Sequence, residues 1–411
     1  MNEKDIKYNL YDENFEIVKE EYLNYSETWK NKSRIWGDQT HRLCSYVAMF
    51  PPSLANFFIT KYTNENDVIL DTFSGRGTTI LESRLMNRKA YANDLNPFAF
   101  VLSKSKTKSF NTQEIFKRVD QLERRYQNYN KKTLKLEKDL QIYFSDKNLK
   151  QITFLKYELG KKWKDLDDID NFILAIFLGI LHGPMKKNGD SIYLSLSMSN
   201  HTSMSKKYVQ KYAQDNNLKK PSFNIFDKVK NRAEKIIINS KYEKNEACVK
   251  YGNALEVDKI FPNLNPKLVI TSPPYLNIIN YTNQNWLKMW VLGYDNRHDN
   301  KEIGLDDSHN LLNYKNFMSK YLWKISKIIS KEGKIVLVIG DVFQNGKNYS
   351  FEDIWKEIRK DFLDLYLKEI YVDKIEQNYK STNSMGSKAG KATKVEKIYV
   401  FEKIDKLKFK D

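Results

Sequence analysis

Thr271-Ser272-Pro273-Pro274-Tyr275, which follows the apolar run Leu268-Val269-Ile270, holds the residue types best suited to a reaction centre in this 411-residue chain. Two successive prolines fix φ and keep the backbone extended and rigid. The sequence therefore predicts that the Ser272 side chain and the Pro273 carbonyl turn outward as acceptors, beside the flat face of Tyr275. A base swung out of its stack is read by such stacking and by hydrogen bonds to its edge. The exocyclic amino nitrogen of a base is a poor nucleophile, because its lone pair is delocalised into the ring. Two acceptors gripping its hydrogens would pull the nitrogen toward a tetrahedral shape and localise that pair. Orientation and electrostatics then suffice, with no strong base or metal, and the five histidines form no evident constellation. In isolation, Ser-Pro-Pro is more often an ordinary loop. It gains weight from a second feature placed earlier in the chain.

That feature is Asp71-Thr72-Phe73-Ser74-Gly75-Arg76-Gly77-Thr78-Thr79, a strand running through a tight turn into a helix. Glycines at 75 and 77 would let a ligand lie directly against the backbone. Ligands of open α/β sheets bind beyond the carboxyl ends of the strands, where this turn falls. Asp94 ends the next apparent strand, where a carboxylate can accept from two ribose hydroxyls. A third glycine is missing, which weakens a dinucleotide reading, and no Walker lysine follows, which excludes a P-loop. A nucleoside cofactor is the expectation, with a purely structural turn as the alternative.

The elements that must position these groups alternate in two regions. In the first, Leu54, Phe57, Phe58 and Tyr62 recur at helical spacing. Strand 68–71, helix 78–86 and strand 89–94 follow. In the second, strands 248–251, 268–271, 335–339, 365–372 and 397–402 alternate with helices 314–329 and 354–362. Apolar strands in such alternation predict a mostly parallel, doubly wound sheet. The rhythm breaks between 109 and 242, where helices are expected around Ile115, Val119 and Leu122, over Phe172 to Leu181, and over Ile225 to Ile237, with a polar run from Lys186 to Lys207. The predicted organisation is an N-terminal part (1–108), a mainly helical insertion (109–242) and a C-terminal part (243–411) that completes the sheet domain.

Together these residues resemble the amino-methyltransferase family of DNA modification enzymes. Phe73, Gly75 and Gly77 match its F-x-G-x-G motif I, in the stretch Asp71 to Thr79. Asp94 matches the acidic motif II, Asn253 stands at the usual Asp of motif III, and Ser272, Pro273, Pro274 and Tyr275 match the catalytic motif IV. The stretch His41 to Thr60, with Phe50-Pro51-Pro52, sits where motif X closes over the methionine end of the cofactor. The resemblance covers roughly the first quarter and the last third or more of the chain. It implies a Rossmann-like class I methyltransferase with a mostly parallel seven-stranded sheet and helices on both faces. It implies S-adenosylmethionine as cofactor, held by Asp71, Phe73, Gly75, Gly77, Thr78, Asp94, Asn253 and Phe50, with no metal. A serine at 272 is the form of the cytosine-N4 enzymes, whereas adenine-N6 enzymes usually carry Asp or Asn there. The departures are Asn253 for Asp, and an insertion that starts soon after motif II. Cytosine-C5 chemistry is set aside, because it needs a cysteine after a proline, whereas Cys44 follows Leu43 and Cys248 follows Ala247.

Composition is compatible with this. Lys and Arg total 69 against 52 Asp and Glu, a net charge of +17, and such an excess suits a polyanion through counterion release. A lysine-rich solubilising surface would give the same number. Two cysteines exclude a disulfide framework or a zinc cluster. The start carries no signal-peptide core, and the apolar run Phe172 to Leu181 falls short of the about 20 residues needed to span a bilayer. A cytoplasmic protein with no membrane partner is expected.

The expected activity is therefore methylation of cytosine N4 in double-stranded DNA, with the base flipped. The chain would be the protective half of a restriction–modification pair, with a cognate endonuclease as partner. Adenine-N6 in DNA, a base in structured RNA, and a non-catalytic nucleic-acid-binding protein on the same scaffold are the rivals. Two segments are candidates for holding DNA. One is the polar run Asn188 to Lys207, with His201, Thr202, Ser203 and Ser205. The other is the loop from Lys380 to Lys394, with Lys388 and Lys391. For each, a solvated loop is as good a reading. After motif IV, Tyr281, Trp286 and Trp290 could line a base pocket, although a core role suits the tryptophans better.

Overall fold

The computed structural model describes residues 16–18, 37–47, 51–186, 190–237, 245–274, 281–294, 303, 310–340, 342–344, 347–362, 364–374 and 395–403. Ten strands are described: β1 (Glu16–Val18), β2 (Val68–Asp71), β3 (Lys89–Asp94), β4 (Ala247–Tyr251), β5 (Leu268–Thr271), β6 (Lys334–Gly340), β7 (Val342–Gln344), β8 (Lys347–Tyr349), β9 (Leu365–Lys374) and β10 (Val395–Lys403). The helices used below are α1 (Pro52–Tyr62), α2 (Thr78–Leu85), α3 (Pro97–Lys104), α4 (Thr112–Asn128), α5 (Asp146–Glu158), α6 (Asp168–Ile180), α7 (Lys206–Asp215), α8 (Ile225–Ile237), α9 (Trp286–Val291), α10 (Leu311–Ile328) and α11 (Phe351–Ile358).

Eight strands form one sheet in the order β1-β9-β10-β6-β5-β2-β3-β4. From β4 to β6 every pairing is parallel, and β10 runs antiparallel between β6 and β9. This is the Rossmann-like class I methyltransferase fold, with the expected seven strands and one more. The addition is β1, three residues pairing in parallel with Glu369–Tyr371 at the sheet edge. Three residues in a polar neighbourhood carry no periodicity from which a strand could be read.

Alternation along the central strands assigns the two faces. Val269, Ile335, Leu337 and Ile339 pack with Tyr314, Met318, Tyr321, Leu322 and Ile325 of α10 and with Ile354 and Trp355 of α11. Leu268, Ile270, Val336 and Val338 point the other way, onto Leu54, Ala55, Phe58 and Ile59 of α1. Burial on both faces explains why β5 and β6 are continuous apolar runs.

Between 109 and 242 the described elements are helical, and their core is continuous with the sheet domain. One cluster joins Ile115, Val119 and Leu122 of α4, Phe172 to Leu178 of α6 and Val229 of α8 to Phe98 and Val101 of α3 and to Leu287 and Trp290 of α9. Helices α5 and α7 are additions to the sequence expectation. The polar run also differs from a solvated loop: Leu194, Leu196 and Met198 are buried at alternate positions, with Ser195 and Ser197 between them. Ser195 and Ser197 are buried with them, so the whole stretch 194–198 is enclosed. No helix among the described residues is long and apolar enough to cross a membrane.

Candidate active site

The carboxyl ends of β2, β3, β4 and β5 lie side by side, and the sequence-predicted groups described there gather on them. Between β2 and β5 the register pairs Ile69 with Leu268 and Leu70 with Val269. Asp71 and Thr271 therefore finish adjacent strands. Thr271 Oγ1 donates to Asp71 Oδ1 at 2.6 Å and accepts from Phe73 N–H at 3.1 Å, and Phe73 N–H also reaches Asp71 Oδ1 at 3.2 Å. One hydroxyl thus joins the glycine turn to the residue preceding Ser272. Asp71 is fully buried, and that burial pushes its carboxyl up to about 6, against the smaller pull of Thr271, Thr79 and the Phe73 amide.

In the turn, Gly75 has φ +52° and Gly77 +76°, the left-handed region that favours glycine. The two glycines serve different ends. A Cβ on Gly77 would stand 2.9 Å from Ser103 Cα, so the missing side chain at Gly77 admits α3 against the turn. A Cβ on Gly75 would make ordinary contact with the Tyr46 ring at 3.5 Å, which leaves the Gly75 backbone as the approachable part. Asp94 fixes that backbone: its Oδ2 accepts from Gly75 N–H at 2.8 Å and its Oδ1 from Asn96 N–H at 2.8 Å. A carboxylate has about four acceptor positions, so these two bonds are compatible with accepting ribose hydroxyls. Asn253 follows β4 beside it, since Asp94 pairs with Tyr251, and Asn253 Oδ1 caps the next turn at Leu255 N–H.

The remaining cofactor candidates are placed as follows. Thr78 is buried at the start of α2, where its hydroxyl accepts from Arg76 Nε at 3.2 Å. The Phe73 ring packs against α10, with centroids 5.2 Å from Tyr321 and 6.1 Å from Phe317. Phe50 lies outside the described residues. Tyr46, a few residues earlier, is the aromatic group found against the glycine turn, with its ring 5.5 Å from that of Phe98. Sequence reasoning had only the general stretch His41 to Thr60 to point to it.

Ser272, Pro273 and Pro274 continue from β5, and Tyr275 lies outside the described residues, as does the loop Lys380 to Lys394. The Ser272 hydroxyl donates to the Val338 carbonyl on β6 at 3.1 Å. A hydroxyl has one proton. A hydroxyl that donates there keeps its oxygen as an acceptor. Pro273 is buried and Pro274 half-buried. Trp290 is buried in the insertion core and Trp286 packs against it, as the core reading expects.

Behind the turn lies a set of buried cations that the sequence did not disclose. Arg76 is 1% exposed, and burial pulls its guanidinium down to about 9, partly offset by Glu82. Its Nη1 donates to the His41 carbonyl at 3.3 Å, and Lys106 Nζ donates to the Arg76 carbonyl. His41 Nε2 lies 2.8 Å from Glu82 Oε1. Burial, reinforced by Lys106 and Arg76, holds the imidazole far below its ordinary range, so this contact is a hydrogen bond from a neutral ring rather than an ion pair. Lys288, also buried, donates to the carbonyls of Asn200 at 3.3 Å and Ser45 at 3.5 Å. It thereby ties α9 to both the insertion and the segment bearing Tyr46.

Residues 1–105 match the N6/N4 methyltransferase family model described as DNA methylase. That stretch contains the glycine turn and Asp94 and stops short of Ser272. The Type II methyltransferase M.MjaII of Methanocaldococcus jannaschii is 26% identical over 140 residues, which are 33% of this chain and 26% of that protein. The Type II methyltransferase M.MvaI of Kocuria varians is 32% identical over 87 residues, 20% of this chain and 19% of that protein. The matches thus span about a quarter or less of these relatives' lengths. Among solved structures, TrmN from Thermus thermophilus aligns over 86% of this chain and 49% of its own at 9% identity, with a TM-score of 0.33. A likeness that slight carries no argument, so the fold class rests on the strand order. S-adenosylmethionine is the cofactor that the matched family and the glycine turn with Asp94 jointly fit.

Proposed function

We propose that the chain is an S-adenosylmethionine-dependent DNA methyltransferase that modifies the exocyclic N4 of a flipped cytosine. The observation that carries this reading is the Ser272 hydroxyl, committed to Val338 as a donor, at a strand end joined through Thr271 to the glycine turn. Asp94 and the Gly75 backbone would hold the nucleoside part of the cofactor, with Asp71, Thr78, Asn253 and Phe50 completing the cradle. When bound, the cofactor supplies a methyl group already activated on a sulfonium. Ser272 Oγ and the Pro273 carbonyl accept the two amino hydrogens, drawing the nitrogen out of conjugation and aiming its lone pair. Tyr275 supplies a stacking face for the extruded base. Serine at 272, with its resemblance to the cytosine-N4 form, supports cytosine over adenine. A role as the protective partner of a restriction endonuclease, in the cytoplasm, belongs to the same reading, with the helical block 109–242 as the target-recognition region.

Transfer of labelled methyl from the cofactor to duplex DNA by the purified protein tests the reading. Ser272→Ala should lower kcat about a hundredfold, the scale of removing one preorganised polar group, and leave cofactor affinity unchanged. Unaltered turnover by that variant would remove Ser272 from the reaction.

A further inference from the structure

Helix α7 begins eight residues after the buried Leu194–Met198 stretch, and no ion pair or side-chain hydrogen bond is found on its outer face among the described residues. Lys207 and Lys211 lie one turn apart, as do Tyr208 and Tyr212 beside them, so the four form two adjacent columns. The tyrosine rings stack in parallel, with centroids 6.1 Å apart and planes at 6°. They are 47% and 40% exposed, among the most open large aromatic side chains described. Lys206 is engaged by Asp139, whereas no ion pair is found for Lys207 or Lys211 among the described residues. The inner face is held by Val209, which is fully buried.

The start of the helix is fastened to the segment that follows the Ser272–Pro274 strand end. Ser203 N–H donates to the Gln284 carbonyl at 2.7 Å, and Trp286 Nε1 donates to the Ser203 carbonyl at 3.2 Å. His182 Nε2 contacts Ser203 Oγ at 3.0 Å, and Tyr143 OH donates to the Met204 carbonyl at 3.1 Å. Ser205 then caps the helix at Tyr208 N–H. Lys288, two residues beyond Trp286, reaches the Ser45 carbonyl beside Tyr46, which connects this anchorage to the glycine turn.

We propose that this face of α7, formed by Lys207, Tyr208, Lys211 and Tyr212, docks on the phosphate backbone of duplex DNA beside the base to be modified. The inference rests on the DNA-methyltransferase reading and names the surface that would hold its substrate. Ammonium groups and phenolic hydroxyls are common donors to phosphate oxygens. The charge of +17 supplies the matching sign over the whole molecule. Two exposed tyrosines kept in a parallel stack between lysines lose little conformational freedom on meeting a ligand.

The test is equilibrium binding of a fluorescent DNA duplex across a salt series, with methyl transfer measured in parallel. Lys207→Ala with Lys211→Ala should weaken duplex binding at least tenfold and lower the slope of log K against log salt by about two, one for each phosphate no longer neutralised. Lys207→Arg with Lys211→Arg should restore both. Tyr208→Ala with Tyr212→Ala should weaken binding at an unchanged melting temperature and cofactor affinity. Unchanged duplex affinity and salt slope in a lysine variant that still methylates DNA would overturn the docking face and leave the function standing. Lost duplex binding in variants of a protein that transfers no methyl to DNA would keep the face and overturn the function. Loss of structured-RNA binding alone, with the duplex unaffected, would overturn the assignment to DNA.

Discussion

Thr271 Oγ1 and Asp71 Oδ1 are 2.6 Å apart, although 200 residues separate them in the chain. The contact closes two adjacent parallel strands at the end where the glycine turn and Ser272 emerge. Thr271 is its hinge in the chemical sense, since the same oxygen donates to Asp71 and accepts from the Phe73 amide. Thr271→Val keeps the shape but leaves a buried carboxylate oxygen and weakens the turn. Stability should fall by about 1–3 kcal/mol, read from urea denaturation. Thr271→Ser retains the hydroxyl and should recover most of that stability. Equal stability of the valine variant would mean that the bond holds nothing together.

A pH dependence follows from Asp71, whose carboxyl is pushed up to about 6 by burial from an ordinary 3.8. Between those values the folded protein holds a proton that the unfolded chain has lost. The stability due to Asp71 is therefore full below about pH 4 and is lost as pH rises through about 6, an effect on the order of 3 kcal/mol. Buried His41 and His182 act in the opposite sense, because both are held far below the ordinary imidazole range and must be charged on unfolding in acid. The carboxyl is isolated by comparing wild type with Asp71→Asn. The advantage of the asparagine variant should grow from pH 4 to 6 and then level off. A constant difference in thermal melts across that interval would show that Asp71 does not titrate there.

The two glycines of the turn should separate experimentally. Alanine at 77 places a methyl 2.9 Å from the Ser103 backbone at φ +76°, so Gly77→Ala should cost roughly 2–4 kcal/mol of stability. Alanine at 75 makes ordinary contacts, with the Tyr46 ring at 3.5 Å and the Phe73 carbonyl at 3.9 Å. Gly75→Ala should lose about 1 kcal/mol of stability and about tenfold in cofactor affinity, ~1.4 kcal/mol. Melting curves and cofactor calorimetry on both variants check the split. Identical behaviour of the two would contradict it.

Val68–Asp71, Lys89–Asp94 and Leu268–Thr271 match the sequence reading residue for residue; in Leu268–Thr271 the signal was an apolar run buried throughout, whereas Lys89–Asp94 alternates buried and half-buried positions. The tight turn at Gly75 and the strand end at Asp94 were legible because turn chemistry is local. What was not legible depends on distant partners. At Gly77 a side chain is barred by Ser103, on a helix the sequence reading left unassigned although Asn96 and Pro97 carry a cap and a first-turn proline. Arg76, Lys106 and Lys288 are basic side chains that composition would place in solvent; burial pulls all three below their ordinary range, and tertiary carbonyls accept from each. The Ser272 hydroxyl donates to the Val338 carbonyl, 66 residues away.

Mass spectrometry of nucleosides from the DNA of a methylation-free host expressing the chain tests the central claim most directly. The account predicts N4-methylcytosine with the wild-type protein and none with Ser272→Ala. N6-methyladenine in its place would contradict the choice of base while leaving the amino-group chemistry intact. No methylated base in DNA, with the protein folded and binding cofactor, would contradict the account.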